Sequence, residues 1–197
     1  MTIYFPLIDT TILHVQKTGG THVRKFANEF EIVHQILLST NDSESNENII
    51  GSQHTNRFFG TRIAFARDPR EWYLSYWVFK TKRANINYRN SLDVLWHGDY
   101  LKFIKKVYSV YKTGYMSTEI YDFFYKDCDA VYPLDQIDDV LYSLFSHIPI
   151  ADINALGKTN QSNLGDICFT PEWKEPADDI IRNMEKYFFD RLEQWKN

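Results

Sequence analysis

One segment constrains this chain more than any other, because an apolar run, two adjacent glycines and a helical pattern follow one another between residues 10 and 30. Residues 10–15 are β-branched and apolar, which predicts a buried strand. After Gly19 and Gly20, apolar residues return at helical spacing over 21–30. A strand, a glycine turn and a helix in this order are typical of an α/β fold.

The turn between this strand and helix has the composition of an anion-binding loop. Its two glycines let the backbone approach a ligand closely, and the first N–H groups of the next helix lie at the positive end of the helix dipole. Lys17 adds a cation, and Thr18 and Thr21 add hydroxyl groups. In the Walker A motif the lysine follows the second glycine, whereas here it precedes both. We therefore predict a phosphate-binding loop of another kind, with a plain glycine turn as the alternative.

A second polar cluster follows another predicted strand, residues 62–66. Arg67 comes directly after that strand, and Asp68 and Pro69 predict the N-cap and first residue of a helix. Ser75 lies about two helical turns farther along. An arginine fork and a serine hydroxyl can hold one phosphate group together. The alternative is an ion pair between Arg67 and a neighbouring carboxylate.

The rest of the chain continues the alternation of strands and helices. Further strands are predicted at 31–38 and 130–133, and further helices at 92–111, 135–146 and 171–195. The last of them is a helix with a break near Pro176. This order predicts one α/β domain over residues 1–197, with a mainly parallel β-sheet flanked by helices.

The aromatic residues of the helix that follows Arg67 allow two interpretations. They could stack on a sugar or an aromatic acceptor, but their helical spacing favours burial in the core. The residues concerned are Trp72, Tyr73, Tyr76 and Trp77, together with Tyr88 farther along the chain.

Charge and hydropathy exclude several classes of protein. The net charge of −4 argues against a nucleic-acid-binding protein, which usually presents a basic surface. No apolar run is as long as a membrane-spanning helix, and the first residues do not resemble a secretory signal. Cys128 and Cys168 lack metal-ligand spacing, which predicts free thiols in a reducing compartment. We therefore expect a cytoplasmic protein that binds neither nucleic acid nor membrane; its oligomeric state is not predicted.

The first motif resembles that of a known family. Residues 14–21, HVQKTGGT, are similar to the H-[IV]-P-K-T-G-G-T signature of carbohydrate sulfotransferases. In that family the loop binds the 5′-phosphosulfate of 3′-phosphoadenosine 5′-phosphosulfate (PAPS). Gln16 stands in place of the family's proline and His22 in place of its serine. The resemblance implies a P-loop-type, sulfotransferase-like fold, and it implies contacts with PAPS from Gln16, Lys17, Thr18, Gly19, Gly20, Thr21 and His22.

The second motif resembles the 3′-phosphate-binding motif of the same family, R-D-P-x-x-R-x-x-S. Arg67 and Ser75 match its first arginine and its serine, whereas its second arginine falls on Trp72. Residues 156–162, LGKTNQS, are similar to a later asparagine-bearing loop of these enzymes, which implies that Asn160 contacts the nucleotide. The resemblance covers most of the chain.

The resemblance implies a PAPS-dependent sulfotransferase of the heparan sulfate 2-O-sulfotransferase-like branch. Such an enzyme moves a sulfuryl group to a hydroxyl of a small-molecule or carbohydrate acceptor without a metal, and it releases adenosine 3′,5′-bisphosphate. Lys17 would stabilise charge on the leaving phosphate. His54, whose position resembles the catalytic histidine of that branch, would accept the proton, with Glu31 and then His34 as alternatives and His22 as a further candidate. His14, inside the first predicted strand, is expected to be structural.

Two other interpretations remain open. A non-catalytic module could bind PAPS or adenosine 3′,5′-bisphosphate as a sensor or scaffold. A P-loop nucleotide kinase is a further alternative, but it needs Mg²⁺ and a hydroxyl directly after a Walker lysine.

Overall fold

A computed structural model describes residues 2–37, 59–82, 91–157, 167 and 169–196. The chain divides into two compact units. The first unit comprises Met1–Ala66, Phe123–Gln161 and Lys196, and the second comprises Arg67–Asp122, Ser162–Trp195 and Asn197. The single domain over residues 1–197 stays a prediction.

The first unit is built on a five-stranded β-sheet. The strands are β1 (Thr2–Phe5), β2 (Thr10–Leu13), β3 (Gln35–Leu37), β4 (Thr61–Ala66) and β5 (Ala130–Pro133), and their order across the sheet is β3-β1-β2-β4-β5. β2, β4 and β5 are parallel, whereas β1 is antiparallel to both of its neighbours. The sheet is therefore mixed, and not mainly parallel as the sequence predicted. The reason is local, since only residues 6–9 join β1 to β2 and so short a connection permits only an antiparallel pair.

Seven α-helices accompany the strands in the described residues. They are α1 (Gly20–Glu29), α2 (Pro69–Lys82), α3 (Tyr100–Val110), α4 (Ile137–Leu144), α5 (Ile150–Ala155), α6 (Lys174–Met184) and α7 (Lys186–Trp195). The fold class is thus α/β, a mixed sheet flanked by helices. None of the described helices is both long and apolar enough to cross a membrane.

The core of the first unit joins α1, α4 and α5 to the sheet. All four residues of β2 are buried, and α1 presents Val23, Phe26 and Ala27 to the same apolar cluster. The rings of Phe26 and Phe145 lie with their centroids 5.3 Å apart, which brings α1 next to the end of α4. This packing holds α1, and with it the loop that precedes it, against the parallel part of the sheet.

The second unit has an aromatic core. Trp72, Tyr73, Tyr76 and Trp77 of α2 are all fully buried, and the rings of Trp72 and Tyr76 stack at 5.5 Å. The hydroxyls of Tyr73 and Tyr76 and the indole N–H of Trp77 form hydrogen bonds within the unit. The Trp77 N–H, for example, donates to the carbonyl of His97 at 2.8 Å. The interpretation of these four residues as core is confirmed, and none of them is exposed for a sugar to stack on. Tyr88 lies outside the described residues.

Two helix boundaries differ from the sequence-based expectation. The break in the last helix lies at Glu185, between α6 and α7, and not near Pro176. Pro176 is the third residue of α6, where the backbone N–H has no intrahelical acceptor to lose. The helix predicted at 92–111 is reduced to a 3₁₀ turn at Asp93–Leu95 and α3, because Asp99 caps α3 by accepting from the N–H of Lys102 at 2.9 Å.

Candidate functional site

The loop between β2 and α1 has an unusual backbone conformation. Lys17 and Gly19 both have positive φ, 65° and 87°, with Thr18 between them. Glycine adopts the left-handed region freely, whereas a lysine does so at a cost of roughly 1 kcal/mol or more. Turns of this kind direct successive N–H groups to one side and form concave sites for anions.

The start of α1 continues this concave site. Gly19 is the N-cap, and its carbonyl accepts from the N–H groups of His22 at 2.8 Å and Val23 at 3.1 Å. The N–H groups of Gly20 and Thr21 lie in the first turn, where a helix supplies no acceptor of its own. With the helix dipole behind them, these donors favour a phosphate or sulfate group.

Thr18 shapes the loop. Its side chain is buried, and its hydroxyl donates to the carbonyl of Val15 at 2.8 Å, so this hydroxyl proton is not offered to a ligand as the sequence motif implied. The backbone N–H of Thr18 also donates to the carbonyl of Val15, at 3.3 Å. The turn also contains Lys17 and Gly19, and Gly20 and Thr21 are the first two residues of α1.

His14 packs directly under the loop. A Cβ added at Gly20 would lie 1.9 Å from Cδ2 of the His14 ring, so position 20 is glycine because the imidazole occupies the space. Burial lowers the pKa of His14 to about 3, and the positive charges of Arg24 and Lys17 act in the same direction. His14 is therefore a neutral packing residue in an electropositive setting, which agrees with the structural role expected for it.

Gly20→Ala provides a test of this packing. We expect a loss of about 1–3 kcal/mol in the free energy of unfolding, because the methyl group displaces a buried ring. In a His14→Ala background the same substitution should instead be neutral or stabilise by up to about 1 kcal/mol, since alanine favours the helix. Urea denaturation of the four proteins measures the coupling. Equal losses in both backgrounds would contradict the contact.

His22 is placed differently from the expectation of a direct contact with PAPS. Its Nε2 lies 2.7 Å from Oδ1 of Asp138 on α4, and its side chain is 9% exposed. Nε2 of His22 therefore already has a hydrogen-bond partner, the carboxylate of Asp138. No local pattern could predict this partner, because positions 22 and 138 are far apart in the chain and only the packing of α1 against α4 brings them together.

Arg67 and Ser75 belong to the second unit. Arg67 directly follows β4 in the chain, and its Nε lies 3.3 Å from Oε2 of Glu71, one turn into α2. Glu71 is 66% exposed, so solvent weakens this ion pair and a phosphate could compete for the guanidinium. Ser75 is buried on the same helix.

Asp68 and Arg70 form a separate pair beside Arg67. The carboxylate of Asp68 accepts from the backbone N–H of Arg70 at 2.8 Å, which makes Asp68 the expected N-cap of α2. It also accepts from both Nε and Nη2 of the same residue. Burial opposes ionisation of Asp68, but these hydrogen bonds and the charge of Arg70 outweigh it and lower the pKa of Asp68. The guanidinium of Arg70 is therefore already bound to Asp68. Trp72 stands where the sulfotransferase motif has its second arginine, and it is buried in the core.

The two alternative bases lie far from the loop. Glu31 follows the end of α1, so the helix length of about 15 Å separates it from the loop. His34 precedes β3, whose first residue Gln35 is level with Thr11, near the start of β2. The loop follows the opposite end of β2. The described structure therefore does not bring Glu31 or His34 next to the loop, and their role as alternative bases stays a prediction.

Two predicted site residues, His54 and Asn160, lie outside the described part of the chain. Within that part, no three His, Cys, Asp or Glu side chains form a group that could hold a metal ion. No protein-family model matches the chain, nor does any curated protein or solved structure, so the resemblance to sulfotransferases rests on the motif residues alone.

Proposed function

We propose that this chain is a PAPS-dependent sulfotransferase, which moves a sulfuryl group to a hydroxyl of a small-molecule or carbohydrate acceptor and releases adenosine 3′,5′-bisphosphate. The proposal is carried by the loop between β2 and α1. Left-handed residues at Lys17 and Gly19 lead there into the N-terminus of a ten-residue helix. A cytoplasmic location without nucleic-acid or membrane partners is part of the same proposal.

The residues present at this loop fit a phosphosulfate group. The first-turn N–H groups of Gly20 and Thr21 supply uncharged donors, and Lys17 and Arg24 supply positive charge that disfavours protonation of His14. A bound PAPS supplies the sulfuryl group and a good leaving phosphate. In this arrangement the Lys17 ammonium would stabilise negative charge that develops on the leaving oxygen, the kind of preorganised contact that contributes most to catalysis.

In the second unit, Arg67 is the residue proposed to hold the 3′-phosphate. It is the arginine that matches the family's motif, and its exposed partner Glu71 can be displaced by a more highly charged anion. Ser75 would add a hydroxyl to the same phosphate, and Asn160 a contact to the nucleotide. His54 remains the predicted proton acceptor from the resemblance.

Arg67→Ala should weaken binding of adenosine 3′,5′-bisphosphate by about 10- to 100-fold, since a hydrogen bond to a charged group contributes roughly 1.5–3 kcal/mol. Binding of 5′-AMP should change little, because that nucleotide lacks the 3′-phosphate. Calorimetric titration of both nucleotides measures the ratio of affinities. Arg182→Ala serves as the matched control, since Arg182 lies exposed on α6 beside Asp179. An unchanged ratio in Arg67→Ala would remove Arg67 from the site.

The proposed function itself is tested by titrating the whole chain with adenosine 3′,5′-bisphosphate in the absence of Mg²⁺, with 5′-AMP and ATP as controls. We expect the bisphosphate to bind at least tenfold more tightly than 5′-AMP. Equal affinities, or no binding, would overturn the proposal. ATP turnover that requires Mg²⁺ would point to the nucleotide kinase instead.

A non-catalytic module that binds PAPS or adenosine 3′,5′-bisphosphate is the second candidate. One observation favours it, because the Thr18 hydroxyl and Nε2 of His22 are both used inside the protein and so present fewer side-chain donors to a reacting group. Selective binding of the bisphosphate without sulfuryl transfer to any acceptor would support this module.

A further inference from the structure

A histidine and a carboxylate meet beside the loop of the first unit. Nε2 of His22 and Oδ1 of Asp138 are 2.7 Å apart. α1 begins where the loop after β2 ends, and α4 begins after the 3₁₀ turn that follows β5. Because β2 and β5 run parallel in one sheet, both helices start at the same edge of it. A Cβ added at Gly19 would lie 2.7 Å from Cδ1 of Ile137, which places the start of α4 directly against the loop.

Asp138 fixes the orientation and the tautomer of the His22 ring. Its carboxylate accepts the proton on Nε2, and in a neutral imidazole the lone pair is then on Nδ1. Among the described residues, Nδ1 has no hydrogen-bond partner. A base oriented by a third group in this way is the arrangement that activates hydroxyl groups in many enzymes.

The other histidines described in the first unit do not share these properties. The pKa of His14 is lowered to about 3 by burial and by neighbouring positive charge, so this ring accepts a proton poorly. Nδ1 of His34 lies 2.7 Å from the carbonyl of Ile32, at the edge of the sheet remote from the loop. His147 is exposed in the turn after α4, at the far end of that helix.

We propose that His22 is the proton acceptor for sulfuryl transfer and that Asp138 is its positioning residue; this inference rests on the proposed function. The acceptor oxygen bonds to sulfur as the bond between sulfur and the bridging phosphate oxygen breaks. The electron pair of that bond leaves with the phosphate. The hydroxyl proton passes to Nδ1 of His22, and Asp138 stabilises the imidazolium that results.

The kinetic test compares His22→Asn, Asp138→Asn and Asp138→Glu with wild type. The probes are PAPS and a desulfated oligosaccharide of glucosamine and uronic acid. We expect His22→Asn to lower kcat by about 10²- to 10⁴-fold, the usual contribution of a general base, with the affinity for adenosine 3′,5′-bisphosphate unchanged. Asp138→Asn should also lower kcat, and Asp138→Glu should recover part of it. If the His22–Asp138 pair were purely structural, the same substitutions would lower stability and nucleotide affinity together. A fall in kcat at unchanged nucleotide affinity would then not be seen.

Two further variants separate the alternatives. His147→Asn is the matched control and should leave kcat unchanged. If His54→Asn abolishes transfer while His22→Asn retains kcat within twofold of wild type, the base is His54 and the inference is overturned although the proposed function stands. Failure of the wild type to select the bisphosphate over 5′-AMP overturns the proposed function, and the inference with it.

Nuclear magnetic resonance of ¹⁵N-histidine-labelled protein gives a readout that does not depend on turnover. The inference requires the tautomer with the proton on Nε2 of His22, assigned by loss of its signals in His22→Asn. In Asp138→Asn this preference should weaken or disappear, because the carboxylate that holds the proton is gone. A proton on Nδ1 in the wild type would overturn the inference, since that nitrogen could not act as the base.

Discussion

Lys17→Ala is expected to lower sulfuryl-transfer turnover by about 10²-fold or more, the scale of loss when a preorganised donor to developing charge is removed. The ammonium is the only part of this side chain that can stabilise a leaving phosphate, and the substitution removes it. Turnover is measured as release of adenosine 3′,5′-bisphosphate from PAPS with acceptor present. Turnover within a few-fold of wild type would remove Lys17 from the catalytic machinery.

The backbone at position 17 allows a sharper version of this experiment. Because Lys17 has a φ of 65°, glycine at this position relieves backbone strain, and Lys17→Gly should raise the free energy of unfolding by up to about 1 kcal/mol. Its turnover should nevertheless fall as far as that of Lys17→Ala. If Lys17→Gly is more stable than wild type but inactive, the loss of turnover is caused by the loss of the Lys17 charge. Lys105→Ala, exposed on α3, is the control for removal of a surface lysine.

Glu185→Gln is expected to destabilise the second unit by about 2–4 kcal/mol, because it places an amide group among groups that all donate hydrogen bonds. One carboxylate oxygen accepts from the Tyr73 hydroxyl at 2.5 Å and the Met116 N–H at 2.9 Å. The other accepts from the N–H and the hydroxyl of Ser117 at 2.8 and 2.7 Å. The glutamine NH₂ must face one of these pairs. The hydroxyl of that pair can turn to accept from it, but the backbone N–H of the pair is left without an acceptor.

The measurement for Glu185 is urea denaturation monitored by tryptophan fluorescence, which reports on the aromatic core of the second unit. Burial raises the pKa of Glu185, and the hydrogen bonds from Tyr73, Ser117 and Met116 act in the opposite direction because they stabilise the carboxylate. Glu193→Gln, exposed on α7, should change stability by less than about 0.5 kcal/mol. If Glu185→Gln also lowered the free energy of unfolding by less than about 0.5 kcal/mol, the hydrogen-bond network described for Glu185 would be contradicted.

Local sequence rules identified several elements because their signals are contained within a few residues. The helix after Asp68 and Pro69 begins where the cap and the proline predict, and Asp68 makes the capping hydrogen bond. β5 occupies the predicted residues Ala130–Pro133. The predicted strands at 10–15 and 31–38 are shorter in the structure, because pairing with neighbouring strands sets where each one ends.

Other elements carry no local signal and were missed. β1 lies at Thr2–Phe5, where no strand was predicted. The π-helix Met116–Tyr125 begins at the residues that Glu185 holds by their N–H groups. Since Glu185 is distant in sequence, no window of neighbouring residues could have predicted that conformation.

In the candidate site, too, some features depend on neighbouring residues in the sequence and others on long-range packing. The succession of a strand, a turn with Lys17 and two glycines, and a helix could be predicted from the residues alone, because this pattern depends on short-range backbone preferences. Three contacts could not be predicted in this way: the His14 ring fills the space beside Gly20, the Thr18 hydroxyl donates to Val15, and Asp138 contacts His22. These contacts depend on the packing of α1 and α4 against the sheet, where side chains far apart in the chain compete for the same space and the same hydrogen bonds.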